Sequence, residues 1–159
     1  MAIEDTFNGA KNAFTLFFAY LNTVAQEIGM ERALALNTKM CEAMGAARGK
    51  MMKEQSDIKE FDARAAHSLT KSVPENIGIN TEVLEESPQR VVIKVGKCPI
   101  YEAAQMLGLD AKTIEAMCRT GSVRFMDTAA KQLNPNLSNR LRKFRSAPHD
   151  FCEEEIVLD

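Results

Sequence analysis

Between Ile3 and Ile28 the apolar residues recur at intervals of three and four: Phe7, Ala10, Phe14, Phe17, Leu21, Val24 and Ile28. That spacing places them on one stripe of a helix, and Gly29 stands where a left-handed residue would close it. A second stripe, made of Met30, Ala33, Leu34, Cys41, Met44, Ala47 and Met51, predicts a second helix and hence a helical hairpin. Gly45 and Gly49 weaken that helix by about 1 kcal/mol each if exposed, unless they permit close packing. Asp57 followed by Glu60 has the form of a helix cap. It predicts a third helix with the stripe Ile58, Phe61, Ala65 and Leu69, stopped by Pro74. His67 lies beside that stripe, as a partly exposed helix residue rather than a ligand.

After the loop Pro74–Gly78 the period changes to two. Thr81–Glu86 and Arg90–Val95 are predicted strands of a hairpin turned at Ser87-Pro88-Gln89. Val91, Ile93 and Val95 fall on one side, and Val92 and Lys94 on the other. Pro99 suits the first position of a short helix over Ile100–Leu107, which Gly108 ends. Asp110 caps the next helix, where Ile114, Met117, Phe125, Ala129 and Leu133 share a face and Gly121 predicts a kink or break. Asn134-Pro135-Asn136 marks a turn. Beyond it, Asn139–Ser146 and Phe151–Leu158 form a predicted hairpin around Ala147-Pro148-His149-Asp150. Its first arm carries Arg140, Arg142, Lys143 and Arg145, and its second carries Glu153, Glu154 and Glu155. Cross-strand pairing of a basic with an acidic arm accounts for both charge runs.

The pattern therefore predicts an α+β fold. A helical hairpin and third helix pack on a small antiparallel sheet of two β-hairpins, with helices between them. One domain is expected over residues 1–159, with a helical part at 1–73 and a mixed part at 79–159. The Phe-rich first helix has apolar residues enough to serve a dimer interface as well as the core, so a homodimer is the default.

Composition narrows the partners. A net charge of −2 over 159 residues gives no attraction to nucleic acid or to an anionic membrane. There is no Trp and there are two Tyr, which leaves little for base stacking. The run from Phe14 to Leu21 is too short to span a bilayer, which takes about 20 residues. Glu4 and Asp5 precede it where a secretory signal carries basic residues. These features point to the cytoplasm, where the four cysteines stay reduced.

No cysteine pair has Cys-x-x-Cys spacing, and no Gly-rich phosphate loop or His-Glu-x-x-His motif occurs. The chemistry available is instead long-range. Cys98 follows the second strand, Cys118 lies in a helix, and Cys152 lies near the start of the last strand. Alternation along that strand carries Cys152, Glu154, Ile156 and Leu158 to one face. Cys98, Cys118, Cys152 and His149 form an inventory that zinc or iron could use, with Glu154 as a substitute ligand. Alternatively Cys152 or Cys118 is a nucleophile, with His149 or Glu154 handling the proton. Against both stands the ordinary role of cysteine as a small buried hydrophobe, which is how Cys41 is read. Nine Met and eight Phe suit an adaptable apolar pocket as well as a plain core.

A series of short matches gives the chain a resemblance to the L-2-amino-thiazoline-4-carboxylic acid hydrolase-like family. They are Gly29-Met-Glu-Arg-Ala-Leu-Ala35, Met44-Gly45, Arg48-Gly49, Cys98-Pro99, Leu107-Gly108, Met117-Cys118, Asn134-Pro135-Asn136-Leu137 and Asp150-Phe151-Cys152. The resemblance implies hydrolytic opening of a small cyclic amidine, and it selects Cys98, Cys118 and Cys152 while passing over Cys41. More distantly, the late strand with its cysteine is similar to the four-vinyl-reductase type of ligand-binding domain. That likeness implies a non-catalytic small-molecule sensor with an apolar cavity and a cysteine-containing metal site.

Overall fold

A computed structural model describes residues 3–159 of the chain. Helices α1 (Ile3–Ile28) and α2 (Met30–Glu54) form the expected hairpin. Gly29 joins them with φ +87°, a backbone setting that a side chain would strain. The buried face of α2 is not the predicted methionine stripe. It consists of Ala33, Asn37, Gly45, Gly49 and Met52, while Met30, Met44 and Met51 remain exposed. The reason is the partner helix. A Cβ on Gly45 would run into the Phe125 backbone, and one on Gly49 into the Ala129 backbone. Only a face of small residues lets these two helices touch.

Asp57 does not start a helix. The helix α3 (Ala63–Thr70) begins later, capped by Asp62, whose Oδ1 accepts from the Ala65 N–H at 2.8 Å. The extended segment before it lets Phe61 turn inward, where it is buried. A short turn of helix, α4 (Ser72–Glu75), then contains Pro74. His67 is half-buried and its Nε2 has no partner among the described residues. Burial lowers the pKa of its ring.

Strands β1 (Thr81–Glu86) and β2 (Arg90–Val95) have the predicted bounds. Helix α5 (Pro99–Met106) starts on Pro99, and α6 (Ala111–Thr120) is capped by Asp110, which accepts from the Thr113 N–H at 2.9 Å. Gly121 breaks the long stripe, as its sequence position suggested, and α7 (Ser122–Leu133) follows in a new direction. A Cβ at Gly121 would lie 2.8 Å from the Met117 carbonyl oxygen. The last hairpin is β3 (Leu137–Lys143) and β4 (Cys152–Leu158), so β3 begins and ends earlier than Asn139–Ser146. Leu137 already sits opposite Leu158, which anchors the earlier start.

The two hairpins join into one antiparallel sheet in the order β1-β2-β4-β3. The α+β expectation thus holds, with β4 paired on both edges. The basic and acidic arms meet as argued: Arg140 lies opposite Glu155, and Arg142 reaches Glu153 and Glu155, each at 3.7 Å. One apolar cluster packs the sheet against α3 and α7, through Val91, Ile156, Ala66 and Leu133 among others. A second joins α1 to α5 and α6 through Phe18, Leu21, Ala103, Ile114 and Met117. Ile77, Cys98 and Phe144 touch both clusters. The space between the clusters is where the site lies. No helix among the described residues is long and apolar enough to cross a membrane.

Candidate functional site

Sheet pairing explains how the thiols meet. Cys152 is the first residue of β4 and sits opposite Val95, the last residue of β2. Cys98 follows three residues later, at the mouth of α5, whose first backbone N–H groups face its sulfur. Cys118 is in the last turn of α6, just before the Gly121 break. All three line a single cavity of about 530 Å³ whose walls come from the sheet on one side and from α1 and α2 on the other. Glu154 lines it too, as the alternation along β4 requires.

His149 is not part of this group. It is exposed in the turn between β3 and β4 and does not line the cavity. Among the described residues no group of three or more His, Cys, Asp or Glu is placed to hold a metal ion. Cys41 lies on α2 and lines the cavity instead of filling the core. Its Sγ donates to the Asn37 Oδ1 at 3.6 Å.

Two residues that the sequence reading passed over complete the site. Arg145, placed in the solvated basic arm by its neighbours, is 3% exposed and lines the cavity. Its Nε donates to Cys152 Sγ at 3.4 Å, and its Nη2 donates to the carbonyls of Val95, at 3.2 Å, and Gly96. The guanidinium lies 4.7 Å from the centre of the Tyr101 ring. No carboxylate among the described residues pairs with it, whereas Arg140 and Arg142 both have acidic partners. Parity was the available signal. Arg145 is in phase with the buried Asn139 and Leu141, and out of phase with the exposed Arg140 and Arg142.

Asn139 is the second. Its Nδ2 donates to Glu154 Oε2 at 3.3 Å, and its backbone N–H donates to the buried Asp127 Oδ1 at 3.0 Å. It therefore fixes the Glu154 carboxyl from the neighbouring strand.

Electrostatics follow from the apolar walls. Burial pushes the Cys98 thiol up to about 11, against the opposing pull of the α5 N–H groups and Arg145. Burial pushes Cys118 still higher, helped by Cys98, Cys152 and Glu154 and opposed by Arg145. Both keep some accessible surface, which faces the cavity. Burial likewise raises the Glu154 pKa, and the Asn139 hydrogen bond only partly offsets it. Burial thus favours the neutral carboxyl, the form that donates a proton. Cys152 is the thiol to which the Arg145 guanidinium donates.

A second cavity, about 490 Å³ between α7 and β3, is lined by Arg124, Asp127, Lys131 and Arg140. Its charges are paired with one another or with near neighbours: Arg124 with Glu42, Lys131 with Asp127, and Arg140 with Asp159. The thiols, Arg145 and Glu154 lie in the first cavity, which is the better candidate site.

Comparison with known proteins agrees with this architecture. The sequence model of a family described as L-2-amino-thiazoline-4-carboxylic acid hydrolase matches residues 10–145. The matched stretch contains Cys98, Cys118 and Arg145 and stops short of Cys152 and Glu154. No curated protein sequence matches the chain. The fold is similar to a crystal structure of the phenol-responsive sensory domain of the transcription activator PoxR with phenol. The TM-score is 0.64 at 13% identity, over 91% of this chain and 74% of that one. It is also similar to a trafficking protein particle complex subunit 3 from Naegleria fowleri, covalently bound to palmitic acid. Here the TM-score is 0.59 at 16% identity, over 94% and 96% of the two chains. At such identities the likeness is one of fold.

Proposed function

Because the chain belongs to the L-2-amino-thiazoline-4-carboxylic acid hydrolase family, we propose that its cavity binds a small cyclic amidine and opens the ring hydrolytically. The observation that carries this reading is the meeting of Cys152, Arg145 and Glu154 on one wall of an otherwise apolar space. The thiol of Cys152 attacks the amidine carbon. A bond forms from Sγ to that carbon while the thiol proton passes to the ring nitrogen. Arg145 donates to the sulfur as charge moves through it. The ring carbon–nitrogen bond then breaks, and the departing nitrogen takes a second proton from Glu154. Water adds to the same carbon, giving its proton to the Glu154 carboxylate. The carbon–sulfur bond to Cys152 breaks as the added hydroxyl returns a proton to the thiol. One water is consumed and both residues regain their starting forms.

The test is incubation with 2-amino-thiazoline-4-carboxylate, following ring opening by mass spectrometry. Turnover by the native chain is expected, reduced about 10²–10⁴-fold in Glu154→Gln, the range for loss of a general acid. In Cys152→Ser it is abolished, with the thermal midpoint little changed. No turnover of this or any other cyclic amidine would sink the reading.

A non-catalytic ligand-binding role is the second reading, favoured by the apolar walls and by the protonated state that burial imposes on Cys98 and Cys118. The fold's likeness to structures holding phenol and palmitate is consistent with it. It predicts ligands that raise thermal stability and are recovered unchanged. A third route, water activated by zinc or iron on Cys98, Cys118 and Cys152, requires the sulfurs to turn toward one ion. His149 would join only if its turn folded over the cavity. One metal per chain in protein purified anaerobically under reducing conditions, lost in Cys118→Ser, would replace the thiol route.

We also propose a cytoplasmic homodimer, on a revised surface. Phe7, Phe18 and Leu21 are buried and Phe14 and Phe17 line the cavity, so the Phe stripe of α1 is turned inward. Leu16 and Tyr20, 75% and 68% exposed, are the apolar residues α1 leaves outside. A dimer in sedimentation that dissociates in Leu16→Glu supports this, and a monomeric native chain removes it.

A further inference from the structure

We propose that Arg145 is the carboxylate anchor of the cavity, and that the ligand it selects is a monocarboxylate with an apolar body. This deepens the ligand-site reading above and does not depend on turnover.

The argument begins with charge. A buried guanidinium without an anionic partner is costly, because removal of its hydration must be offset by pairing or hydrogen bonds. Arg145 has three donations accounted for, to Cys152 Sγ and to two backbone carbonyls. These use Nε and Nη2. Nη1 has no hydrogen bond among the described residues, and Arg145 lines the cavity. The one acidic residue of the lining is Glu154, and it does not pair with Arg145. Burial favours its neutral form. A ligand carboxylate supplies the anionic partner that Arg145 lacks among the described residues, in a charge-assisted hydrogen bond. Tyr101, stacked on the guanidinium, and the carbonyls of Val95 and Gly96 fix its plane in advance. That pre-organisation makes it an anchor rather than a mobile surface charge.

Size and lining set the rest of the ligand. About 530 Å³ lies inside the range of pockets that hold drug-sized molecules. Phe14, Phe17, Met40 and Met44 supply apolar wall to the cavity. Met40 and Met44 are also exposed, which places them at the mouth. An aryl or alkyl body on the carboxylate covers those apolar walls.

The probes are 4-phenylbutyrate, 4-phenylbutyramide and acetate, read by calorimetry and thermal shift on the full chain, with no turnover needed. The expected result is that 4-phenylbutyrate binds at least tenfold tighter than its amide and at least a hundredfold tighter than acetate. Equal binding of acid and amide overturns the anchor, and equal binding of acetate and 4-phenylbutyrate overturns the apolar body. Arg145→Met is expected to bind acid and amide alike, with Arg145→Lys restoring part of the preference. A preference for the acid that survives in Arg145→Met also overturns the anchor. Should Arg145→Met fail to fold, the three-probe series on the native chain still decides. A chain that shows this preference without ring opening would overturn the hydrolase reading and leave the anchor standing.

Discussion

Arg145 donates its Nε to Cys152 Sγ at 3.4 Å across the base of the turn between β3 and β4. This contact distinguishes Cys152 from Cys98 and Cys118, whose pKa values burial raises and which have no such donor among the described residues. Iodoacetamide at pH 8 is therefore expected to label Cys152 ahead of Cys98 and Cys118. Cys98, with a pKa of about 11, should be slower, and Cys118 slowest. Peptide mass spectrometry over a time course checks the order. In Arg145→Met the lead of Cys152 should disappear, and labelling of Cys118 ahead of Cys152 in the native chain would contradict the contact's role.

Glu154 makes stability depend on pH in a defined direction. Its folded pKa is raised above the ordinary 4.5, so the native state holds a proton that the unfolded chain releases. Stability is then highest while the group is protonated in both states. It falls as pH rises from about 4.5 through the folded value. Glu154→Gln should flatten that fall, as read by urea midpoints between pH 5 and pH 8. Asn139→Ala removes the hydrogen bond that lowers this pKa, so the fall should extend to higher pH. A native chain that grows more stable across the same window, with Glu154→Gln unchanged, would contradict the assignment.

Gly49 gives a prediction whose sign opposes helix propensity. Alanine at an exposed helix glycine gains about 1 kcal/mol. Here the new Cβ would lie 2.8 Å from the Ala129 Cα and from the Gln132 Cβ. Neither helix backbone can yield without shifting the packing of α2 on α7. Gly49→Ala should therefore destabilise by about 1–3 kcal/mol, the cost of overpacking, in chemical denaturation. Gly45→Ala, facing the Phe125 backbone, should do the same.

What the sequence disclosed depended on whether local pattern and tertiary packing agreed. The bounds of α1, β1 and β2 and the break at Gly121 are local signals, and the structure follows them. The face of α2 was misread because methionines mark apolarity, while the actual contact needed small residues against another backbone. Asp57 and Asp62 are both plausible caps, and burial of Phe61 in extended chain selects the later one. The convergence of Cys98, Cys118 and Cys152 on one cavity followed from their positions at element ends. Cys41 joined them because α2 turns that side toward the cavity rather than into packed core. Arg145 was hidden by the basic residues around it, since phase separates it from Arg140 and Arg142 but not from Lys143, which pairs with Asp150.

Asp150 ties together the turn that links Arg145 to Cys152. Its Oδ2 accepts from the backbone N–H and the hydroxyl of Ser146, each at 2.9 Å, and its Oδ1 accepts from Lys143 Nζ at 2.9 Å. These bonds close the turn whose two ends carry Arg145 and Cys152, and they hold the Asp150 pKa well below the usual carboxylate range. With the folded pKa depressed, the stabilisation is complete above the unfolded value. It is lost as pH falls below about 4, the unfolded range for Asp. Asp150→Ala should lower the thermal midpoint at pH 7 and remove part of the acid-side loss. Its effect on 4-phenylbutyrate affinity separates positioning from bulk stability. If the turn places Arg145, affinity should fall several-fold even at temperatures where the variant is fully folded. Asp150→Asn, which retains an acceptor, should recover most of it. Unchanged affinity in folded Asp150→Ala would show that the carbonyls of Val95 and Gly96 suffice to hold the guanidinium without the turn.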